Sequence, residues 1–259
     1  MNNLSFTYEL LHPNPTSLSS CRNNAKQIEY KLENVYCLPT CENFTLFSPD
    51  ELSEAFLKNI FGIYEYSLSN DCQLNYINLL DNYIGITSNL RYEENIMTQI
   101  QEAFDGSIIL ELLQKHYNHF IFKHSSYNTF IDNYIQTHNI KKVIIYGRGN
   151  LAKSIIKHCN KWLNIRHKQG LLNIPCDNDN MSLIIVCSAW NSSLDVLLTR
   201  DCHLFNMVDD RSYSANPYYF TMKSTTWIDF VDESNKQYDR INSQSLHQYN
   251  KWKQTFQLH

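Results

Sequence analysis

Residues 141–156 read K-K-V-I-I-Y-G-R-G-N-L-A-K-S-I-I, and this stretch limits the class of fold that the chain can adopt. The chain has six glycines in 259 residues, and two of them, Gly147 and Gly149, stand one residue apart directly after an apolar run. In a dinucleotide-binding turn, the first glycine makes a sharp bend and the second lets the backbone approach a pyrophosphate. A third small residue, here Ala152, allows close packing of the next helix. The stretch therefore predicts a strand, a phosphate-binding turn and a helix.

Short apolar runs and helical stretches alternate on the C-terminal side of this turn. The predicted strands are 143–146, 163–166, 182–188 and 203–208, and the predicted helices are 151–162 and 192–198. Such alternation favours a parallel sheet with helices on its faces. We therefore expect an α/β protein with a Rossmann-like dinucleotide-binding domain over residues 138–225.

The regions on either side of this domain have different patterns. Residues 1–137 are predicted as an α+β domain, with a strand at 35–41, a helix at 50–61 and mainly helical structure over 93–137. The preceding Ser-Pro-Asp is expected to cap the helix at 50–61. Residues 226–259 carry apolar residues at three- to four-residue spacings, which predicts an amphipathic helix. This helix either packs against the preceding domain or connects to another structure.

Composition excludes several classes of protein. The chain is 43% apolar, 13% aromatic and 19% charged, which excludes general disorder. It has no apolar segment of membrane-spanning length and no signal-peptide pattern, so we expect a cytoplasmic protein without a membrane partner. The eight cysteines are scattered without metal-ligand spacing, so no metal site is predicted. The net charge of −4 provides no general attraction to nucleic acid.

The end of the second predicted strand distinguishes between nicotinamide cofactors. NAD-binding folds place an acidic residue there, whereas arginine suits the extra 2′-phosphate of NADP. Arg166, His167 and Lys168 stand at this place, so the sequence favours NADPH; the alternative is a solvated basic turn. The predicted cofactor-binding residues lie on the glycine turn and at the ends of the second and third strands: Gly147, Arg148, Gly149, Asn150, Leu151, Ala152, Arg166, His167, Lys168 and Ser188.

An α+β domain ahead of an NADPH-type fold resembles the glutamyl-tRNA reductase family, and three further stretches carry the resemblance. V-Y-C-L-P-T-C-E-N-F-T-L-F (35–47) keeps the Thr-Cys pair, Thr40 and Cys41, of the family's catalytic loop S-T-C-N-R-x-E-x-Y. Residues 78–104 align without gaps with a second family stretch and match it at Gly85, Ser88, Glu93, Ile96, Gln99 and Ala103. F-N-M-V-D-D-R-S-Y-S (205–214) keeps the arginine of a third stretch at Arg211. The resemblance extends from about residue 10 to residue 250.

The resemblance implies that residues 1–137 form a catalytic-type domain. It further implies NADPH-dependent reduction of an aminoacyl-tRNA, held as a thioester on Cys41, to an aldehyde in tetrapyrrole biosynthesis. Cys41 and Thr40 are then the catalytic residues, and the implied substrate-binding residues are Asn43, Asn78, Ser88, Glu93 and Gln99.

Two substitutions separate the chain from the family. Asn43 stands where the family has an arginine that grips the substrate glutamate, and Asn78 stands where it has a histidine. These changes leave open whether catalysis is retained and which acyl group is used. The family's dimerisation helices have no counterpart after the start of the connecting helix, so the oligomeric state is also open.

Two other functions fit parts of the sequence. The first is a catalytically silent relative that acts as a binding or regulatory partner, which the substitutions at Asn43 and Asn78 favour. The second is a precorrin dehydrogenase of the sirohaem pathway, because N-M-V-D-D-R-S-Y (206–213) is similar to that family's N-V-V-D-D-P-E-L. That family begins with its dinucleotide turn, whereas about 140 residues precede the turn here.

Overall fold

The chain forms two units, Met1–Ser125 with Asn235–His259, and Ser126–Ser234. The computed structural model describes residues 4–11, 20–21, 23–25, 34–39, 43–88, 90–125, 127–147, 150–159, 165–168, 181–187, 197, 203–207 and 231–256. Each unit contains one four-stranded sheet. The units are groups of residues that lie close together in space. The domain boundaries expected from the sequence, at 137/138 and 225/226, concern independently folding domains and stay predictions.

The sheet of the first unit is antiparallel. Its strands are β1 (Phe6–Leu10), β2 (Tyr36–Pro39), β3 (Phe44–Ser48) and β4 (Tyr66–Ser69), in the order β2-β3-β1-β4. In β1, Tyr8 and Leu10 are buried on one face whereas Glu9 is exposed, as the two-residue period of a strand requires. The strand predicted at 35–41 is confirmed over the residues of β2. The other three strands are not predicted from the sequence.

Helices pack on this sheet, and their starts follow ordinary capping chemistry. They are α1 (Glu54–Phe56), which continues as the π-helical turn Leu57–Phe61, α2 (Cys72–Ile84), α3 (Glu94–Ala103) and α4 (Ile108–Phe120). The expectation that Ser-Pro-Asp at 48–50 caps α1 is wrong. Ser48 Oγ instead donates to the carbonyl of Asp50, and Ser53 Oγ accepts from the backbone N of Phe56 at 3.2 Å.

The sheet of the second unit is parallel. Its strands are β5 (Lys142–Tyr146), β6 (Ile165–Lys168), β7 (Ser182–Val186) and β8 (His203–Asn206), in the order β6-β5-β7-β8. The helices of this unit include α5 (Tyr127–Thr137) and α6 (Asn150–Cys159). The expected mixed α/β fold with a parallel sheet is therefore confirmed. The second strand extends to Lys168, two residues beyond its predicted end, and the helix predicted at 192–198 lies outside the described residues except for Leu197.

The predicted C-terminal helix is divided at Asn242 into α7 (231–241) and α8 (Ser243–Thr255). The buried Asn242 side chain accepts from the backbone N of Lys123 at 2.7 Å and donates to its carbonyl at 3.0 Å. In α8, Tyr249 O–H donates to Asp81 of α2 at 2.7 Å, and Lys253 Nζ donates to the same carboxylate at 2.6 Å. These contacts attach α8 to the first unit, so its amphipathic pattern reflects packing there.

Two kinds of feature are absent from the described residues. None of the helices found there combines the length and apolar composition needed to cross a bilayer. The same part of the chain contains no group of three or more His, Cys, Asp and Glu side chains suited to a metal ion.

Candidate functional site

Gly147 lies at the point where the strand order of the parallel sheet reverses. It follows β5, which has β6 on one side and β7 on the other. In open parallel sheets, ligands bind in the crevice beyond the carboxyl ends of the strands at such a switch point. The structure therefore positions the predicted turn where a ligand of this fold class would bind.

Contact with β7 explains why glycine is required at this position. Gly147 has φ +145°, and a Cβ built on it would lie 2.9 Å from the carbonyl oxygen of Cys187. The backbone N of Cys187 also donates to the carbonyl of Tyr146 at 2.7 Å, which holds the two strand ends together. A side chain at position 147 would therefore force these strand ends apart.

The helix after the turn also packs as predicted. α6 begins at Asn150, and Ala152 is fully buried in its first turn. A larger side chain at position 152 would push the helix away from the strands it covers. Leu151 is half-buried, whereas Arg148, Gly149 and Ser188 lie outside the described residues.

The basic triplet of β6 reaches the same edge of the sheet as Gly147. In the parallel register of β5 and β6, Ile144 pairs with Arg166, Ile145 with His167 and Tyr146 with Lys168. The backbone of Lys168 is thus beside the residue that immediately precedes Gly147. The structure therefore brings the backbones of these two strand ends together.

The thiol beside the turn is buried, and burial disfavours its reactive thiolate form. Burial raises the pKa of Cys187 to about 12, and neighbouring Cys159 adds to the rise. A thiol with such a pKa stays protonated at neutral pH, and the thiolate is the reactive form.

The predicted catalytic pair, Thr40 and Cys41, lies outside the described residues, between β2 and β3. Asn43, the first described residue after it, has a fixed orientation. Its Oδ1 accepts from the backbone N of Phe44 at 2.7 Å, and its Nδ2 donates to the carboxylate of Glu9. Asn43 is therefore held against an anionic side chain.

Ser88 and Glu93 lie on or next to a closed loop that follows α2. The backbone N of Tyr92 donates to the carbonyl of Gly85 at 2.8 Å, and a Cβ on Gly85 would lie 2.9 Å from Tyr92 Cα. This contact closes the loop, and it again requires glycine, which has φ +81° here. Ser88 is half-buried on the loop, and Glu93 follows it, with its carboxylate accepting from Asn95 Nδ2.

The remaining two predicted substrate residues have opposite environments. Asn78 is exposed on α2. Gln99 lies on α3, and its Oε1 is buried without a hydrogen-bond partner in the described part of the chain. A buried acceptor without a partner is costly, so Gln99 is suited to receive a donor from a ligand.

A polar row on the first sheet was not predicted from the sequence. Thr45 of β3 and Ser67 of β4 both lie directly opposite Glu9 of β1. Directly paired residues share one face of a sheet, so the three polar side chains form a row across it. The alternation in F-T-Y-E-L could have indicated that Glu9 faces away from the core. Its neighbours depend on strand pairing, which a single sequence does not specify.

Comparisons with known proteins include a distant likeness to a solved structure. No protein-family model matches the chain, and no curated protein matches it. Among solved structures, the chain is similar to glutamyl-tRNA reductase from Methanopyrus kandleri, with 9% sequence identity and a TM-score of 0.40. The likeness covers 96% of this chain and 80% of the other. A likeness at this level does not establish the family.

Proposed function

We propose that the chain is an NADPH-dependent oxidoreductase of the glutamyl-tRNA reductase type. In this proposal it takes the acyl group of an aminoacyl-tRNA onto Cys41 as a thioester and reduces it to an aldehyde in tetrapyrrole biosynthesis, in the cytoplasm. The observation that carries the proposal is the glycine at the switch point. Gly147 has no room for a Cβ, and it precedes a helix whose first turn is closely packed.

The residues around the turn fit a dinucleotide. The first N–H groups of a helix have no partner within that helix, and α6 begins at Asn150. They would suit a pyrophosphate because a helix N-terminus carries partial positive charge. Arg166, His167 and Lys168 would hold the 2′-phosphate, and Ser188 would line the end of β7. When bound there, NADPH supplies the hydride for the reduction.

Cys41 would supply the nucleophile. Its thiolate attacks the carbonyl carbon of the aminoacyl ester, so a C–S bond forms and the ester C–O bond breaks. The ribose oxygen of the tRNA leaves and takes up the proton that Cys41 has lost. Thr40 would orient this thiol. Ser88 and Gln99 would hold the acyl group by hydrogen bonds, and Glu93 would support the loop that presents Ser88.

The test is NADPH oxidation in the presence of a mixture of charged tRNAs. The wild-type chain should oxidise NADPH and produce an aldehyde, and Cys41→Ser should abolish both. Cys72→Ser, a change at a half-buried thiol on α2, is the matched control and should leave the rate near that of wild type. Oxidation that Cys41→Ser does not affect would remove Cys41 from the mechanism.

A catalytically silent binding partner is the second candidate, and the residue types at Asn43 and Asn78 favour it. An asparagine side chain is a neutral amide, so neither residue supplies a positive charge or an acid-base group, and Asn43 in addition donates to Glu9. A thiol-reactive acyl probe distinguishes the two functions. An enzyme should be labelled at Cys41 faster than at its other cysteines, whereas a silent relative should not.

A further inference from the structure

The C-terminal end of α8, residues 252–256, packs around the imidazole ring of His116 on α4. The centroid of this ring lies 4.8 Å from that of Trp252 and 5.6 Å from that of Phe256. Gln73 Nε2 of α2 donates to the carbonyl of Phe256 and also holds this end of the helix. We propose that His116 makes the contact acid-sensitive: its neutral ring holds the end of α8 on α2 and α4, and protonation of the ring releases it.

A hydrogen bond between Tyr76 of α2 and His116 favours the neutral ring. The Tyr76 hydroxyl lies 2.6 Å from His116 Nδ1, and Tyr76 is 1% exposed. Burial raises the pKa of Tyr76, so the hydroxyl keeps its proton and can donate it to the lone pair of a neutral ring. A protonated ring carries hydrogen on both nitrogens, so Nδ1 becomes a donor and the hydroxyl hydrogen loses its acceptor. Leaving a buried donor without a partner is costly.

The charged groups near His116 do not offset protonation of its ring. Lys115 and His119, on the same helix, are basic. From α8, Lys253 Nζ donates to Asp81 of α2 at 2.6 Å, so that carboxylate is already paired. In the described part of the chain, none of the ion pairs includes His116. Burial first, and then the charges of Lys115 and His119, lower the pKa of His116.

The lowered pKa determines the direction of the effect. Release removes the ring contacts that Trp252 and Phe256 make with His116, so the ring of the released form should titrate near its ordinary pKa of about 6.5. The released form therefore binds the proton first as pH falls. Docking is strongest above about pH 6.5 and weakens below it. Each pH unit below that value raises the equilibrium constant for release by at most about tenfold.

The N-terminal part of α8 is held by contacts that do not include His116. The Asn242 side chain pairs with the backbone of Lys123, and Ser245 Oγ donates to the carbonyl of Ile121 at 3.2 Å. Amide, hydroxyl and backbone groups do not titrate between pH 5.5 and 7.5. Release is therefore expected at the end of α8 alone, as a local opening rather than as unfolding of the unit.

The test is hydrogen exchange of the wild-type chain at pH 7.5, 6.5 and 5.5, followed by mass spectrometry of peptides that contain residues 252–256. Each rate is divided by the rate of the same unstructured peptide at the same pH, which removes the direct effect of pH on exchange. The protection of these residues should be equal at pH 7.5 and fall severalfold by pH 5.5, with about tenfold as the upper limit. Peptides from α7 should show a smaller fall.

Two glutamine variants form a matched pair. His116→Gln removes the titrating ring and keeps an acceptor for the Tyr76 hydroxyl, so the protection of residues 252–256 should no longer depend on pH. His247→Gln, at an exposed histidine on α8 itself, is the control and should keep the wild-type fall. Circular dichroism at pH 7.5 checks that each variant is folded.

Three results would overturn the inference. The first is constant protection of residues 252–256 from pH 7.5 to pH 5.5 in the wild-type chain, which decides the matter even if His116→Gln does not fold. The second is an equal fall in every peptide, which would show that protonation affects only global stability. The third is a fall in His116→Gln as large as that in the wild-type chain, which would assign the effect to another group.

Discussion

Replacement of Gly147 by alanine tests whether the turn is built as the structure indicates. The added Cβ would lie 2.9 Å from the carbonyl oxygen of Cys187 and 3.1 Å from its carbonyl carbon. Both atoms belong to the backbone at the end of β7, so the neighbour cannot move away by changing a rotamer. The strand end itself must shift, or the turn must change its path.

The expected cost has two parts. An alanine at φ +145° is strained, and left-handed backbone costs a non-glycine residue roughly 1–2 kcal/mol. The overpacking against Cys187 adds roughly 1–3 kcal/mol. The free energy of unfolding should therefore fall by roughly 2–5 kcal/mol, and the affinity for NADPH should fall at least tenfold because the phosphate-binding backbone is displaced.

Gly106→Ala is the matched control. Gly106 has φ +70°, and a Cβ built on it would meet no atom within 4 Å. This variant carries the backbone strain without the overpacking, so it should lose only about 1–2 kcal/mol and bind NADPH as wild type does. Urea unfolding followed by circular dichroism and titration with NADPH measure both quantities. If Gly147→Ala matches Gly106→Ala in stability and binds NADPH normally, the account of the turn is refuted.

Three further predictions concern buried groups. Tyr249→Phe removes the O–H that donates to the buried carboxylate of Asp81, so the free energy of unfolding should fall by about 1–3 kcal/mol; an unchanged urea midpoint would contradict this. Burial lowers the pKa of His116, whose Nδ1 lies 2.6 Å from the Tyr76 hydroxyl, so the unfolded chain binds the proton first as pH falls. Stability should therefore be constant above about pH 6.5 and fall below it, and His116→Gln should reduce that fall; equal pH profiles for the two proteins would oppose the assignment. Cys187, with its pKa raised to about 12, should stay unlabelled by iodoacetamide at pH 8 in the folded protein, and labelling as fast as that of a free thiol would show that it is accessible.

The parallel sheet could be predicted from the sequence because its central strands, β5 and β7, are largely buried. V-I-I-Y and S-L-I-I-V are continuous apolar runs, and glycine after the first run marks the turn. The antiparallel strands β1, β3 and β4 mix polar and apolar residues over four or five positions, which is too short for a clear period. The predicted cap at Ser48 lies five residues before the observed one at Ser53.

The candidate site likewise has some features that could be predicted from the sequence and others that could not. Local features, such as Gly147 and the basic end of β6, could be predicted because they depend on neighbours in sequence. The contact between Asn43 and Glu9 joins residues 34 positions apart, and it arises from the pairing of β1 with β3. Likewise, the helix expected at 226–259 is divided at Asn242 because its side chain binds the backbone of Lys123, a tertiary contact with no local signal.

The most direct test of the central claim is a titration of the wild-type chain with NADPH and with NADH, followed by the fluorescence of the nicotinamide. The account predicts saturable binding of NADPH at least tenfold tighter than that of NADH, a difference of about 1.4 kcal/mol. Glu111→Gln should bind both as wild type does, and Gly147→Ala should lose the NADPH affinity. If the wild-type chain binds neither dinucleotide, or binds NADH as tightly as NADPH, the claim that the turn at Gly147 and the basic end of β6 form an NADPH site is contradicted.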